Sequence, residues 1–397
     1  MFDIPIIYFT PTDVMIPRVD RKCIVMACEG IKRSGGNIKL ISLYTKIKTT
    51  EIKNTNILDL YAVKNKFKYK VINTIFLYQN STSRLIAYLF TIERFLRYSH
   101  YSYIEARKNK EGLIFYSKNY SFNLFFIFLK RYFKNIKLVF ELHYPPKSLI
   151  RKYILNKMDL INTNTETLKY DIKANNIIKN KNIISTHQGI NIDMIESIRV
   201  ERNEAKIKLK LDIKYKYIVY TGKVIRNSLE VEYIMDLSNG LNIDTQILIV
   251  GGQKDIVDYY KGWCENRKYN NVKFIGYVSP VEVYYYQFAA DVLISYYESG
   301  LILNRYRSPG KLFEYMASKS PIISADYPSI REVLKDKVNC LLIEPDNIRK
   351  LSESVRWLLM HPDEGEKLAL RAYKDVIHYT WDKRGKYILE NINKISN

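Results

Sequence analysis

Ser308-Pro309-Gly310-Lys311-Leu312-Phe313-Glu314-Tyr315-Met316-Ala317, followed by Pro321-Ile322-Ile323-Ser324-Ala325-Asp326, is the stretch from which the fold is read. Ser before Pro is a helix-start signal: the Ser oxygen accepts from free first-turn N–H groups, and Pro has no N–H to leave unpaired. The spacing predicts a helix over about 309–318 and a short apolar strand at 321–325. Lys311 and Glu314 are three apart and share one face, while Leu312, Phe313 and Met316 supply an apolar face. A Lys in the first turn meets the partial positive charge of the helix N-terminus, unfavourable by roughly a few tenths of a kcal/mol unless an anion is near. Two readings stand on spacing alone. The pair is a solvated Lys with a Glu partner, or it is an anion site with Lys311 on a phosphate and Glu314 on ligand hydroxyls.

Outward from this helix the chain repeats a strand, helix, strand rhythm, which predicts parallel sheets with crossover helices. In the C-terminal half, strands are expected at 217–220, 245–250, 272–274 and 290–295, with helices at 229–239, 346–360, 364–377 and about 382–394. The loop Thr221-Gly222-Lys223-Val224-Ile225-Arg226-Asn227-Ser228 joins the first of these strands to its helix, and such loops present N–H groups and cations to phosphates. GxGxxG and GxxxxGK[ST] are both absent, so neither an NAD fingerprint nor a P-loop is expected. In the N-terminal half, strands are expected at 4–9, 38–43, 71–78, 113–116, 137–142, 158–162 and 182–186, and helices at 21–31, 81–98, 120–133, 147–157 and 164–175. His143 follows a strand end, where open parallel sheets gather ligands, so a site role competes with ordinary loop hydrogen bonding. The polar segment 193–213 reads as a linker between two domains.

Composition sets the outer bounds. The chain has 397 residues, 47% hydrophobic and 13% aromatic, enough for a large core and two domains. Cys23, Cys28, Cys264 and Cys340 form no CxxC or Cys/His cluster, so neither a zinc site nor a disulfide framework is expected, and a reducing cytoplasm fits. No signal-peptide pattern opens the sequence, and the most lipid-like run, 122–129, is too short to span a bilayer and reads as a buried helix. The formal net charge of +22 is lopsided: residues 1–200 carry 33 Lys and Arg against 15 Asp and Glu, net +18, and the remainder is net +4. A Lys/Asn/Ile coding bias explains this as readily as an anionic membrane surface, an anionic substrate or nucleic acid.

Several segments, in order, resemble the family 4 type glycosyltransferases: Tyr220-Thr221-Gly222-Lys223, Gly276-Tyr277-Val278, Ala290-Asp291-Val292, Ser308 to Ala317, Pro321 to Asp326, Pro328 with Arg331-Glu332-Val333, Leu341-Leu342-Ile343-Glu344-Pro345 and Tyr379-Thr380-Trp381. They cover about 215–385, in the subset with a Ser-Pro-x-Lys-x-Phe-Glu-Tyr motif. Glu141-Leu142-His143 and His187-Gln188-Gly189-Ile190-Asn191 extend the resemblance more loosely to the N-terminal half.

The resemblance implies an α/β GT-B fold, two Rossmann-like domains with parallel sheets facing a central cleft. Residues 1–200 would be the acceptor domain, 213–380 the nucleotide-sugar domain, and the final helix 382–397 would pack back on the first. It implies a retaining transferase taking a UDP- or GDP-sugar to a glycan or lipid-diphosphate acceptor, without cofactor or metal, in the cytoplasm or peripherally on the inner face of a membrane. Catalysis would be electrostatic and positional.

Residue by residue, Glu314 would bind the donor ribose, Lys311 would lie near the diphosphate, and Lys223 would be the first phosphate-binding cation, with Arg226 as second. Gly222, Ser308, Pro309, Gly310 and Leu312 would line the donor site, Tyr277 and Val278 would meet the base through their backbone, and His143 would position a sugar. Many members have a Glu eight residues before the ribose-binding Glu; here that position is Tyr306. The segment 298–307 would then shape the sugar pocket through Asn304, Arg305 or Arg307. Two other classes fit parts of the pattern, a GT-B nucleotide-sugar epimerase and a basic nucleic-acid-binding protein. The latter predicts a clustered basic stripe and a recognisable motif, neither of which the sequence has, so no nucleic-acid partner is expected.

Overall fold

The computed structural model describes residues 2–16, 18–44, 56–73, 84–180 and 182–396. The chain divides into two compact units, Met1–Gly189 with Thr380–Asn397, and Ile190–Tyr379. Among the described residues, the first unit has seven strands: β1 (Phe2–Phe9), β2 (Gly36–Tyr44), β3 (Lys68–Asn73), β4 (Leu113–Ser117), β5 (Ile136–Leu142), β6 (Leu160–Thr163) and β7 (Ile183–Ser185). They pair in parallel in the order β3-β2-β1-β4-β5-β6-β7. Ile6, Ile7, Tyr8 and Phe9 are all buried, as expected where a central parallel strand is covered by helices on both faces.

The second unit has β8 (Lys216–Thr221), β9 (Thr245–Val250), β10 (Val272–Gly276), β11 (Val292–Ser295), β12 (Ile322–Ala325) and β13 (Leu341–Ile343), parallel in the order β10-β9-β8-β11-β12-β13. Each sheet winds outward from its first strand in one direction and then resumes on the other side. The strand order therefore reverses between β1 and β4 and between β8 and β11, and loops diverging from strand C-termini at such a point open a crevice for ligands.

The segment expected to link the domains is part of the second unit. Residues 193–213 hold most of one helix, Ile192–Ser197, and all of another, Arg202–Lys208, with Ile195 and Ala205 in the core. Lys206 is buried, and its Nζ donates to the Tyr215 carbonyl at 3.0 Å and to Asp291 Oδ2 at 3.1 Å. Helices this short, each burying one or two residues, leave little apolar period to read. The chain passes between the units twice at neighbouring points: Ile190 N donates to the Tyr379 carbonyl at 2.9 Å.

After that point the helix Trp381–Ser396 packs on Val19–Arg33 in the first unit. Glycines permit the contact. A Cβ on Gly385 would lie 2.4 Å from the carbonyl carbon and oxygen of Gly30, and one on Gly189 would meet the Trp381 ring at 2.6 Å. The apolar run 122–129 lies in the helix Tyr120–Tyr132, which buries Phe122, Phe126 and Leu129 and exposes Leu124, Phe128 and Tyr132. Among the described residues no helix is long and apolar enough to cross a membrane. Strand β3 starts three residues before the expected 71, and the expected strand residues 74–78 and helix residues 81–83 lie outside the described residues.

Candidate donor site and the His143 network

The candidate donor residues of the second unit lie where loops leave the C-terminal ends of β8, β10 and β11. Three glycines bring two of these loops close. Gly222 N donates to the Val250 carbonyl, Gly251 N donates to the Gly276 carbonyl at 2.8 Å, and a Cβ on Gly251 (φ 128°) would sit 2.0 Å from the Gly222 carbonyl oxygen. Any side chain at Gly251 would push the Gly222-Lys223 loop away. Lys223 is exposed at its tip, and its carbonyl accepts from the Tyr220 hydroxyl at 3.3 Å.

The helix of the opening motif spans Gly310–Ser318 and ends at Lys319 in the left-handed region. Its N-cap is Pro309, one position past the Ser308 that the sequence suggests, and the Pro309 side chain makes no capping hydrogen bond. Leu312 is a core residue and its N–H is bonded to the Pro309 carbonyl, which removes it from the set of ligand contacts. Tyr315 anchors the helix to β8: Thr221 N donates to its hydroxyl at 2.8 Å, and Gln287 Nε2 donates to Thr221 Oγ1 at 3.2 Å. Glu314, half-buried on the next face, accepts from the Tyr284 hydroxyl at 3.3 Å.

Lys311 is neither solvated nor paired with Glu314. Its side chain is 14% exposed, and Nζ lies 3.0 Å from Glu230 Oε1, 4.2 Å from the centre of the Tyr220 ring and 4.8 Å from that of Tyr297. Burial by itself would lower its pKa; the Glu230 carboxylate outweighs that and holds the ammonium well above the ordinary lysine value. A cation in the first turn is thereby tolerated, through a carboxylate and two aromatic faces. Glu230 comes from the first turn of the helix Leu229–Asp236, directly after the Gly222-Lys223 loop. Its only sequence signal is that placement.

Other candidates are spread around this centre. Arg226 is exposed, with its guanidinium 3.6 Å from Asp255 and 5.3 Å from the Tyr259 ring. Tyr277 is 74% exposed, whereas Val278 packs against the core, with Ser279 and Glu282 closing a capping box on the helix Pro280–Ala289. Tyr306 is buried, and Arg305 is exposed beside it with its guanidinium 6.0 Å from the Tyr306 ring. Arg307 lies 4.7 Å from the Tyr297 ring, so that ring is flanked by two cations.

His143 belongs to the first unit, at the C-terminal end of β5. Its Nε2 is 2.8 Å from Glu141 Oε1; Glu141 Oε2 accepts from the Tyr116 hydroxyl at 2.9 Å and from Arg384 Nη2 at 3.1 Å. Asn162 Nδ2 donates to the Tyr116 oxygen at 3.1 Å, and Thr186 Oγ1 donates to Asn162 Oδ1 at 2.9 Å. Glu141 and Arg384 are each 7% exposed. Burial would push the Glu141 carboxyl up; Arg384 and the His143 hydrogen bond outweigh it and hold the carboxyl well below the usual range. Among the described residues, no group of three or more His, Cys, Asp or Glu side chains is placed to hold a metal ion.

Two parallel α/β units with these strand orders define a GT-B fold, and solved structures match it over nearly the whole chain. A sucrose-phosphate synthase from Thermosynechococcus elongatus superposes with a TM-score of 0.73 at 14% identity, covering 99% of both chains. A glycosyltransferase from Rickettsia africae gives 0.71 at 17% identity, covering 99% of this chain and 98% of that one. The Anabaena protein HepE, solved in complex with UDP-glucose, gives 0.71 at 12% identity, covering 98% of this chain and 100% of that one.

Residues 201–375, most of the second unit, match the family model Glycosyl transferases group 1. A curated relative, an uncharacterized glycosyltransferase of Methanocaldococcus jannaschii, is 25% identical over 187 residues. That match spans 46% of this chain and 45% of the relative, less than half the length of either.

Proposed function

We propose that the protein is a glycosyltransferase that moves a sugar, with retention of configuration, from a UDP- or GDP-sugar to a glycan or lipid-diphosphate acceptor in the synthesis of cell-surface polysaccharide or glycoconjugate. The observation that carries the reading is the convergence of Gly222-Lys223, the N-terminus of the helix at Gly310 and Glu314 on the C-terminal edge of a sheet at its switch point, within a segment that matches Glycosyl transferases group 1. HepE, of similar fold, was solved with UDP-glucose, which favours a uridine nucleotide as the first donor to try.

In this reading Glu314 accepts from ribose hydroxyls, and Lys223 with the first-turn N–H groups faces the diphosphate. Lys311 contributes field from behind its Glu230 partner. Cations and helix N–H groups stabilise charge on the departing diphosphate while the acceptor hydroxyl attacks from the same face. The unit 1 residues, His143 among them, serve the acceptor side, and no metal takes part.

Calorimetry with a panel of UDP-, GDP- and ADP-sugars tests the donor site, comparing wild type with Glu314→Ala. One nucleotide class should bind, and loss of hydrogen bonds to a charged carboxylate should weaken it by about 10- to 100-fold. Absence of binding by wild type defeats the proposal, and equal binding by Glu314→Ala defeats the ribose assignment. Product analysis with a labelled donor separates transfer from epimerisation.

A further inference from the structure

The C-terminal helix ends far along the sequence from His143, yet it supplies the charge beneath it. Arg384 precedes Gly385, the residue whose missing side chain lets this helix lie on the backbone of Gly30. That close approach brings the Arg384 guanidinium under the first sheet, where Nη2 reaches Glu141 Oε2 at 3.1 Å. Glu141 has two oxygens and divides them. One takes Arg384 and the Tyr116 hydroxyl, and the other takes His143 Nε2.

An ionised carboxylate can only accept, so the imidazole nitrogen facing it must carry the proton. In the neutral imidazole Nδ1 then carries the lone pair, on a side chain that is 27% exposed. This is the arrangement in which a second group orients a histidine and fixes its tautomer. The carboxylate is held by Tyr116 and by Arg384 of the C-terminal helix, and Asn162 and Thr186 extend the chain of hydrogen bonds behind Tyr116.

We propose that Arg384 is a positioning residue: through Glu141 it holds His143 in the Nε2–H form and leaves Nδ1 to accept a hydrogen bond from a sugar hydroxyl. The positioning stands on the first unit alone; its use in turnover rests on the glycosyl-transfer reading. The C-terminal helix is in this view part of the candidate acceptor-side machinery and not only a clasp between chain ends. Arg384 touches no reacting atom in this scheme and acts through Glu141.

Nuclear magnetic resonance on the full chain, with labelled histidine, reads the positioning directly. Wild type should show a downfield, exchange-protected imidazole N–H that is absent in His143→Gln. Glu141→Gln and Arg384→Gln should lose it, because a neutral amide or a protonated carboxyl accepts more weakly than a carboxylate and can itself donate to Nε2, reversing the tautomer, whereas Arg384→Lys should retain it by restoring a cation. Circular dichroism checks folding, and Glu141→Gln, which keeps the shape of the side chain, serves if Arg384→Gln fails to fold. Retention of the resonance in both Glu141→Gln and Arg384→Gln overturns the proposal, as does its absence from wild type.

Release of UDP from UDP-glucose supplies the second readout. Arg384→Gln should slow it by about 10- to 100-fold in wild type, the scale of a small misplacement at a reacting centre, and by less than about twofold in a His143→Ala background. Additive losses overturn the coupling of Arg384 to His143. If wild type turns over no nucleotide sugar, the transfer reading fails, and the resonance experiment still decides the positioning.

Discussion

Lys311 shows how far a single residue's environment can depart from its sequence neighbours. Helical spacing offers Glu314 as its partner, but the folded chain offers Glu230, 81 positions away, together with the rings of Tyr220 and Tyr297. Removing one member of a buried pair strands the other charge, so Lys311→Met or Glu230→Leu alone should cost about 2–3 kcal/mol, toward the low end for such pairs because both side chains retain some exposure. The double variant should lose less than about 1 kcal/mol, since two apolar side chains can fill the space without a stranded charge. Urea unfolding measures this. A double variant as unstable as the sum of its parents would mean the pair is not energetically coupled. The same residue scale explains why Leu312 drops out of the candidate site: it lies on the apolar stripe of its helix, and the stripe faces the core.

The Trp381–Ser396 helix is the element on which the first unit closes. Its sequence shows an amphipathic pattern and nothing about its target, because the contact is made at glycines, which leave no apolar signature. Gly385→Ala would place a methyl group 2.4 Å from the Gly30 carbonyl and so force the two helices apart. Overpacking of this kind costs about 1–3 kcal/mol, and against backbone atoms the upper part of that range is expected. Thermal unfolding should fall accordingly, while Gly262→Ala, at a helical glycine with open space around its Cβ position, should be neutral or slightly stabilising. Equal stability of Gly385→Ala and wild type would show that this helix is not held in backbone contact. Among shorter elements, the helices Ile192–Ser197 and Arg202–Lys208 were illegible as such, and their burial of Ile195 and Ala205 becomes apparent only once the second core is assembled.

At the scale of the whole molecule, the positive charge of residues 1–200 meets an exposed apolar surface. The helices Arg84–Lys108, Tyr120–Tyr132 and Leu149–Asn156 pack in succession and expose Leu96, Phe128, Leu149 and Ile150, and Arg131 and Arg151 are exposed on the same helices. We propose that this face rests on an anionic membrane, where each basic residue near the surface contributes about 1 kcal/mol. The protein should co-sediment with phosphatidylglycerol vesicles and not with phosphatidylcholine ones, release as salt shortens the screening length, and bind at least about fivefold more weakly as Phe128→Asp with Leu149→Asp. Equal partition between the two lipids at physiological salt would defeat the idea. The sequence by itself determined the two strand-helix alternations, the helix at Gly310–Ser318 and the ordered motifs of the second unit, because apolar period, Gly and Pro are local properties of the chain. Only the tertiary structure decided that Lys311 answers to Glu230, that the supposed linker belongs to the second core, and that Arg384 reaches Glu141 across 243 positions. Those partnerships depend on which strand ends and helix faces the parallel crossovers bring together, and no spacing along the chain records that.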